Sequence, residues 1–321
     1  MHSLMSHSQI NFMKSINYLL LLCLVVFGSF GKTMAQDSGV DSTGLPGDNF
    51  SLQGALQMFQ KAGSPEEFEK LINSEDNSVN NLDLNNDGET DYIRVIDKMD
   101  KDLHAFVLQV SVSETESQDI AVIEIEKTGD TTAVLQIVGD GDIYGEEVIV
   151  EQDGGGDDDG SFIDYNYKNT LSGPNADYYG ATTPRIVVNV WFWPSVRFVY
   201  APIYRPWISP WRWRHYPTWW RPWRPLAWHA WYPGPRIYHR PFVVVHTNRV
   251  IRANAFYRPV RVSSVTVRTR NATAVGNYRV TRSRTTITGP RGNSAIRRTT
   301  TVEGRRGKVR ASRTTVRRRR R

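Results

Sequence analysis

The chain has 321 residues, with 40 Lys+Arg against 33 Asp+Glu and a single cysteine. Its formal net charge of +7 conceals two blocks: residues 36–180 carry 32 acids against 7 bases, whereas residues 181–321 carry 31 bases, 30 of them Arg, against Glu303 alone. One thiol, Cys23, inside an N-terminal apolar run, excludes disulfides and thiolate metal sites from the rest of the chain, and the charge asymmetry points to interaction surfaces rather than to a reaction.

Lys14, an apolar run over 16–30 and then Thr33-Met34-Ala35 follow the charged, apolar and small-residue order of a secretory signal, so residues 1–35 are expected to be removed. The run is about 15 residues, short of the roughly 20 that span a bilayer. No transmembrane helix is expected in the mature chain, and its expected place is the periplasm, the outer membrane or the cell surface. Residues 36–49 read as a flexible leader.

Leu52, Ala55, Leu56 and Phe59 recur at helical spacing up to Gly63, and Ser64-Pro65-Glu66-Glu67 opens a second helix as a capping box before Phe68, Leu71 and Ile72. From Asp91 the period becomes two. Apolar positions alternate through Ile93–Val95, Phe106–Val112, Ala121–Ile125, Ala133–Ile137 and 147–150, joined by short polar connections. The expectation for residues 50–151 is an acidic α+β domain, with two short helices packed on an antiparallel meander of about five strands. Its other face, with Gln109, Ser111, Glu124, Glu126 and Gln136, is expected to be wet.

Residues 152–183, rich in Gly and Asp, read as a linker. Residues 184–241 form a Trp/Pro/Arg-rich belt in which all 10 tryptophans lie between Trp191 and Trp231. Residues 242–321 form a basic Thr/Val/Arg tail with a weak 15-residue repeat, Gly289/Arg291/Gly292 recurring as Gly304/Arg306/Gly307. Each repeat reads as a strand, a Gly turn and a strand, ordered alone or only on a partner.

Asp83-Leu84-Asn85-Asn86-Asp87-Gly88-Glu89-Thr90-Asp91 sets oxygen side chains at loop positions 1, 3, 5 and 9, with Gly at 6 for the sharp turn. A hard cation takes six or more oxygens, and alternate residues of a tight loop supply them. The EF-hand glutamate at position 12 is replaced by Arg94. The nonapeptide resembles the calcium loops of FG-GAP and dockerin-like repeats; that resemblance implies Asp83, Asn85, Asp87 and Asp91 as ligands, with Glu89 through its carbonyl, and calcium as cofactor. The same residues also spell a hairpin turn with solvated acids.

In the belt, Trp207, Trp211, Trp213, Trp219, Trp220 and Trp223 alternate with Arg212, Arg214, Arg221 and Arg224. Such rings sit at membrane interfaces, stack on flat partners or fill a second small core, while Arg offers phosphate or carboxylate a bidentate fork. The terminal Arg317, Arg318, Arg319, Arg320 and Arg321 extend the basic set. The expected partner is an anionic envelope polymer or lipid surface, with nucleic acid disfavoured by the export signal. His215, His229, His239 and His246 show no ligand spacing, and no GxSxG or phosphate-cradling loop occurs.

The run 64–152, with Asn80-Asn81-Leu82-Asp83, Asp91-Tyr92-Ile93-Arg94-Val95 and Glu116-Ser117-Gln118-Asp119, resembles a family of uncharacterised exported Bacteroidota envelope proteins bearing a DxNxDGxxD loop. That resemblance implies a Gram-negative envelope setting and no assigned activity. The expected function is non-enzymatic: an acidic, calcium-binding domain held to an anionic surface by an aromatic and Arg-rich half. The alternatives are an enzyme or inhibitor with an unmarked site on the meander, and a nucleic-acid-binding basic tail.

Overall fold

The computed structural model describes residues 42–154, 162–164, 185–245, 247–288, 294–303 and 309–319. The expected signal segment 1–35, most of the linker, His246, the glycine turns of the tail, Arg320 and Arg321 lie outside the described residues.

Two helices form where local chemistry requires them. α1 (Leu52–Lys61) is capped by Ser51, whose hydroxyl accepts from the Gly54 N–H. α2 (Pro65–Ile72) is capped by Ser64, which accepts from the Glu67 N–H, while the Glu67 carboxylate reaches back to the Gly63 N–H at 2.7 Å. Leu52, Leu56, Met58, Phe59, Phe68 and Ile72 are buried, each large side chain contributing ~1.5–3 kcal/mol.

The helices cover one face of an antiparallel sheet built from β1 (Ile93–Asp100), β2 (Leu103–Ser111), β3 (Ser117–Gly129), β4 (Thr132–Gly139) and β5 (Val148–Gln152). This is the expected α+β meander. The sheet has a sixth strand, β8 (Phe242–Val245), in the order β1-β2-β3-β4-β5-β8, with Ile149 opposite Val245 and Gln152 opposite Phe242. The boundary expected at residue 151 is therefore crossed: four apolar residues from beyond the belt close the edge that β5 would otherwise expose. A single compact unit runs from Ser42 to Arg321.

Order also begins earlier than residue 50. The Asp48 carboxylate accepts from the hydroxyls of Ser42 and Thr43 and from the Gly44 N–H, which pins the end of the expected leader. Gly47 lies against the buried Tyr144 ring, where a Cβ would come within 2.3 Å of a ring carbon.

Residues 188–199, a short 3-10 turn (Val190–Phe192) and helix α4 (Pro194–Val199), bury Val190, Trp193, Val196 and Val199 in the main core. Short elements elsewhere are α3 (Gly141–Tyr144), α5 (Trp228–Trp231) and the pair β6 (Phe162–Asp164) and β7 (Arg185–Val187). After β8 come α6 (Ile251–Tyr257) and α7 (Val265–Asn277). The tail forms a second antiparallel sheet, β9 (Arg279–Thr288), β10 (Ser294–Glu303) and β11 (Val309–Arg319), in the order β11-β10-β9. One strand falls in each 15-residue period of the repeat.

Candidate functional site

The face of the sheet expected to be wet is covered. Glu124 and Gln136 are 0 % and 1 % exposed, and Gln109, Glu126 and Asp119 are also buried. The cover is the first part of the basic tail, residues 247–264, and it meets the acids donor for acceptor. Arg249 donates to Glu151 through Nε and to Gln136 through its backbone N–H. The N–H groups of Arg252 and Ala253, at the start of α6, donate to Glu126, and Asn254 donates to Glu124. The Tyr257 hydroxyl and the Val262 N–H both donate to Asp119, each at 2.8 Å. Arg261 reaches Asp140 and Asp142 together.

This is an intramolecular clasp: arginines 249, 258 and 261 pair with the chain's own acids. A carboxylate inside a folded protein needs donors, and the covering segment supplies them. Burial raises the pKa of Asp119, and burial followed by the neighbouring carboxylates of Glu147 and Glu126 raises that of Glu124 to about 7.

The belt runs along the opposite side of the molecule's first strand. The Asp97 N–H donates to the Trp207 carbonyl and the Ser209 N–H to the Val95 carbonyl, so residues 207–209 extend the β1 edge. Glu69 on α2 anchors this run by accepting from Trp207 Nε1, the Ser209 hydroxyl, the Tyr92 hydroxyl and the Val95 N–H. Trp220 is buried against Tyr92 and Tyr216, and the Trp223 carbonyl accepts from the Thr90 N–H. Trp207, Trp211, Trp213 and Trp223 are half-buried and Trp219 is exposed. Of the six candidate rings, then, Trp220 is buried, Trp207 packs against the main core, and the other four are half-buried or exposed.

The candidate arginines behave differently. Arg212, Arg214, Arg221 and Arg224 are exposed, as is Arg205, and among the described residues none of them makes an ion pair. Among the described residues the Arg221 guanidinium donates to carbonyl oxygens of its own turn, and Arg214 lies 5.5 Å from the Trp213 ring. Large apolar side chains missed by sequence reasoning share this stretch: Phe192, Ile203 and Ile208 are 65, 87 and 67 % exposed, and Phe198 is also exposed. Only their failure to pair with a period would have marked them. Arg317, Arg318 and Arg319 end β11. His215 and His229 are exposed, whereas His239 is half-buried with its pKa lowered by burial and by Arg236.

The loop brings its predicted residues together. Asp83 accepts from the N–H groups of Asp87 and Gly88, Asn85 from Asp87, Asp87 from Glu89, and Asp91 from Leu84. The Asn85 amide nitrogen bridges Asp87 and Asp91, at 2.8 and 3.2 Å, at the centre of the loop. Asn86 and Gly88 take positive φ, 65° and 84°, which makes the sharp turn. Burial, then the charges of Asp83 and Asp87, raise the Asp91 carboxyl to about 8. No group of three His, Cys, Asp or Glu side chains among the described residues is close enough to hold a metal without movement.

No helix among the described residues is long and apolar enough to cross a membrane. The chain matches no protein-family model, no curated protein and no solved structure.

Proposed function

We propose that the protein is a non-enzymatic, exported component of the cell envelope that docks on an anionic surface, whether lipid phosphate, lipopolysaccharide or acidic glycan, through residues 192–224. The observation that carries this reading is the contrast between two sets of arginines. Arg249 and Arg261 of the clasp are engaged with buried carboxylates, whereas Arg205, Arg212, Arg214, Arg221 and Arg224 are exposed and make no ion pair among the described residues, close in sequence to exposed Phe192, Phe198, Ile203 and Ile208. Guanidinium groups beside protruding apolar side chains suit a surface with phosphates above and hydrocarbon below. Trp219 and the half-buried rings stiffen this stretch rather than form the whole contact.

Calcium in the 83–91 loop belongs to the same reading. The donor set is all hard oxygen, and the excess negative charge around buried Asp91 is what a divalent cation relieves. Asp83, Asn85, Asp87 and Asp91 would hold it through side chains and Glu89 through its carbonyl, in place of the Asn85 amide bridge.

Sedimentation of the full chain with vesicles tests the docking. Binding is expected with anionic lipid and not with neutral lipid, and it should weaken as salt rises, because the Debye length falls from about 10 Å at 0.1 M to about 3 Å at 1 M. Equal binding to both kinds of vesicle contradicts it.

A further inference from the structure

A cleft of about 230 Å³ opens between α2 and the belt, lined by Tyr92, Trp207, Trp211 and Trp219 together with the carboxylates of Glu66 and Glu67. No arginine lines it, so it does not suit the anion read by the exposed arginines. Glu69 contributes no free oxygen: both of its oxygens accept from the surrounding framework, and its role is to hold the Trp207 and Tyr92 rings. Glu66 is exposed, and its carboxylate makes no hydrogen bond or ion pair among the described residues.

The chain itself displays what this wall attracts. The Lys70 ammonium lies 5.6 Å from the centroid of the Trp219 ring and makes no ion pair among the described residues. The same chemistry recurs where the Lys127 ammonium stands 5.0 Å from the Trp191 ring and 6.0 Å from Tyr200. An aromatic face carries negative charge density, and several faces beside a carboxylate form the recognised cage for alkylated ammonium groups. Lys70 already stands over the Trp219 ring at the cleft and would compete with any incoming cation.

We propose that this cleft binds the ammonium group of a small ligand, quaternary or primary, between the Trp219 ring and the Glu66 carboxylate, with Lys70 swinging away. The proposal is independent of the arginine surface, which calls for the opposite charge.

The test uses the full chain labelled with ¹⁵N at tryptophan, titrated with choline chloride against sodium chloride of equal ionic strength. Saturable shifts are expected at the indoles of Trp207, Trp211 and Trp219 and not at the other rings. Trp219→Ala should raise the half-saturating concentration roughly tenfold. Glu66→Gln, at an exposed position where folding is not at stake, should also weaken the response. Lys70→Ala should strengthen it, because the internal competitor is gone. Phosphatidylcholine vesicles form a second arm: a response to choline with or without one to vesicles supports the cleft as an ammonium site, and the vesicle arm says whether a lipid headgroup can reach it. Shifts no larger than those with sodium, a weaker response in Lys70→Ala, or an equal response to a neutral glucoside would overturn the proposal.

Discussion

Glu124 offers a direct way to weigh the clasp. It sits on β3 with no exposed surface; its carboxylate accepts from Asn254, and the Asn248 side chain also stands beside it. Burial, followed by the charges of Glu147 and Glu126, raises its pKa from 4.5 to about 7. The folded state thus holds this proton more tightly than the unfolded chain does. The stability it gives is fully present below the unfolded value and is lost as pH rises through the folded one. At ~1.4 kcal/mol per pKa unit, the loss on going from about pH 4 to about pH 8 is roughly 3 kcal/mol. Glu124→Gln keeps the shape and an oxygen for Asn254 but cannot ionise. Urea unfolding of both proteins across this range should show near-equal stability at about pH 4 and a variant more stable by up to ~3 kcal/mol at about pH 8. Other buried carboxyls, such as Asp91, titrate in both proteins and cancel in the difference. If the two curves run parallel, Glu124 is not sealed under the clasp and the argument for that face fails.

Other consequences follow from single contacts. Arg261→Ala leaves the Asp140 carboxylate, 4 % exposed, without its guanidinium, and a loss of about 2–3 kcal/mol is expected because Arg261 itself is 35 % exposed. Adding Asp140→Asn should recover part of it, as a double-mutant cycle by urea unfolding would show. Gly47→Ala drives a methyl into the Tyr144 ring and should cost about 1–3 kcal/mol, measured in the same way. Calcium at millimolar concentration should raise the melting temperature of the full chain, because it binds the folded loop, and Asp87→Ala should remove the rise. A rise that survives Asp87→Ala would place the ion elsewhere.

Local chemistry made much of this fold legible. Ser64 caps the second helix as its capping box requires, and the period-two runs became the strands of the meander because their alternate apolar residues, among them Phe106, Leu108, Ile123, Ile125, Leu135 and Ile137, share one core. β8 was hidden because Val243, Val244 and Val245 are too few to announce a strand, and their partner β5 lies on the far side of the linker and the belt. The covered face was hidden for a subtler reason. Alternation separates the apolar face from the polar one, but it cannot tell water from a polar cover: Glu124 and Gln136 read the same whether solvent or Asn254 and Arg249 lie above them. A clue existed in Ala253 and Tyr257, spaced four apart and both buried, with Asn254 beside them. Among the candidate site residues, the spacing of the loop brought Asp83, Asn85, Asp87 and Asp91 into one hydrogen-bonded turn, whereas Trp220 is buried against Tyr92 and Tyr216.

The central claim is that the belt's arginines meet the anionic surface while those of the clasp do not. Amide hydrogen exchange of the full chain, alone and on vesicles carrying anionic lipid, tests this most directly. The account predicts new protection within residues 192–224 on binding, no change within 247–264, and loss of both protection and sedimentation when Arg205, Arg212, Arg214, Arg221 and Arg224 are changed together to Glu. Protection confined to residues 279–319, with the fivefold variant still bound, would contradict it and transfer the contact to the tail.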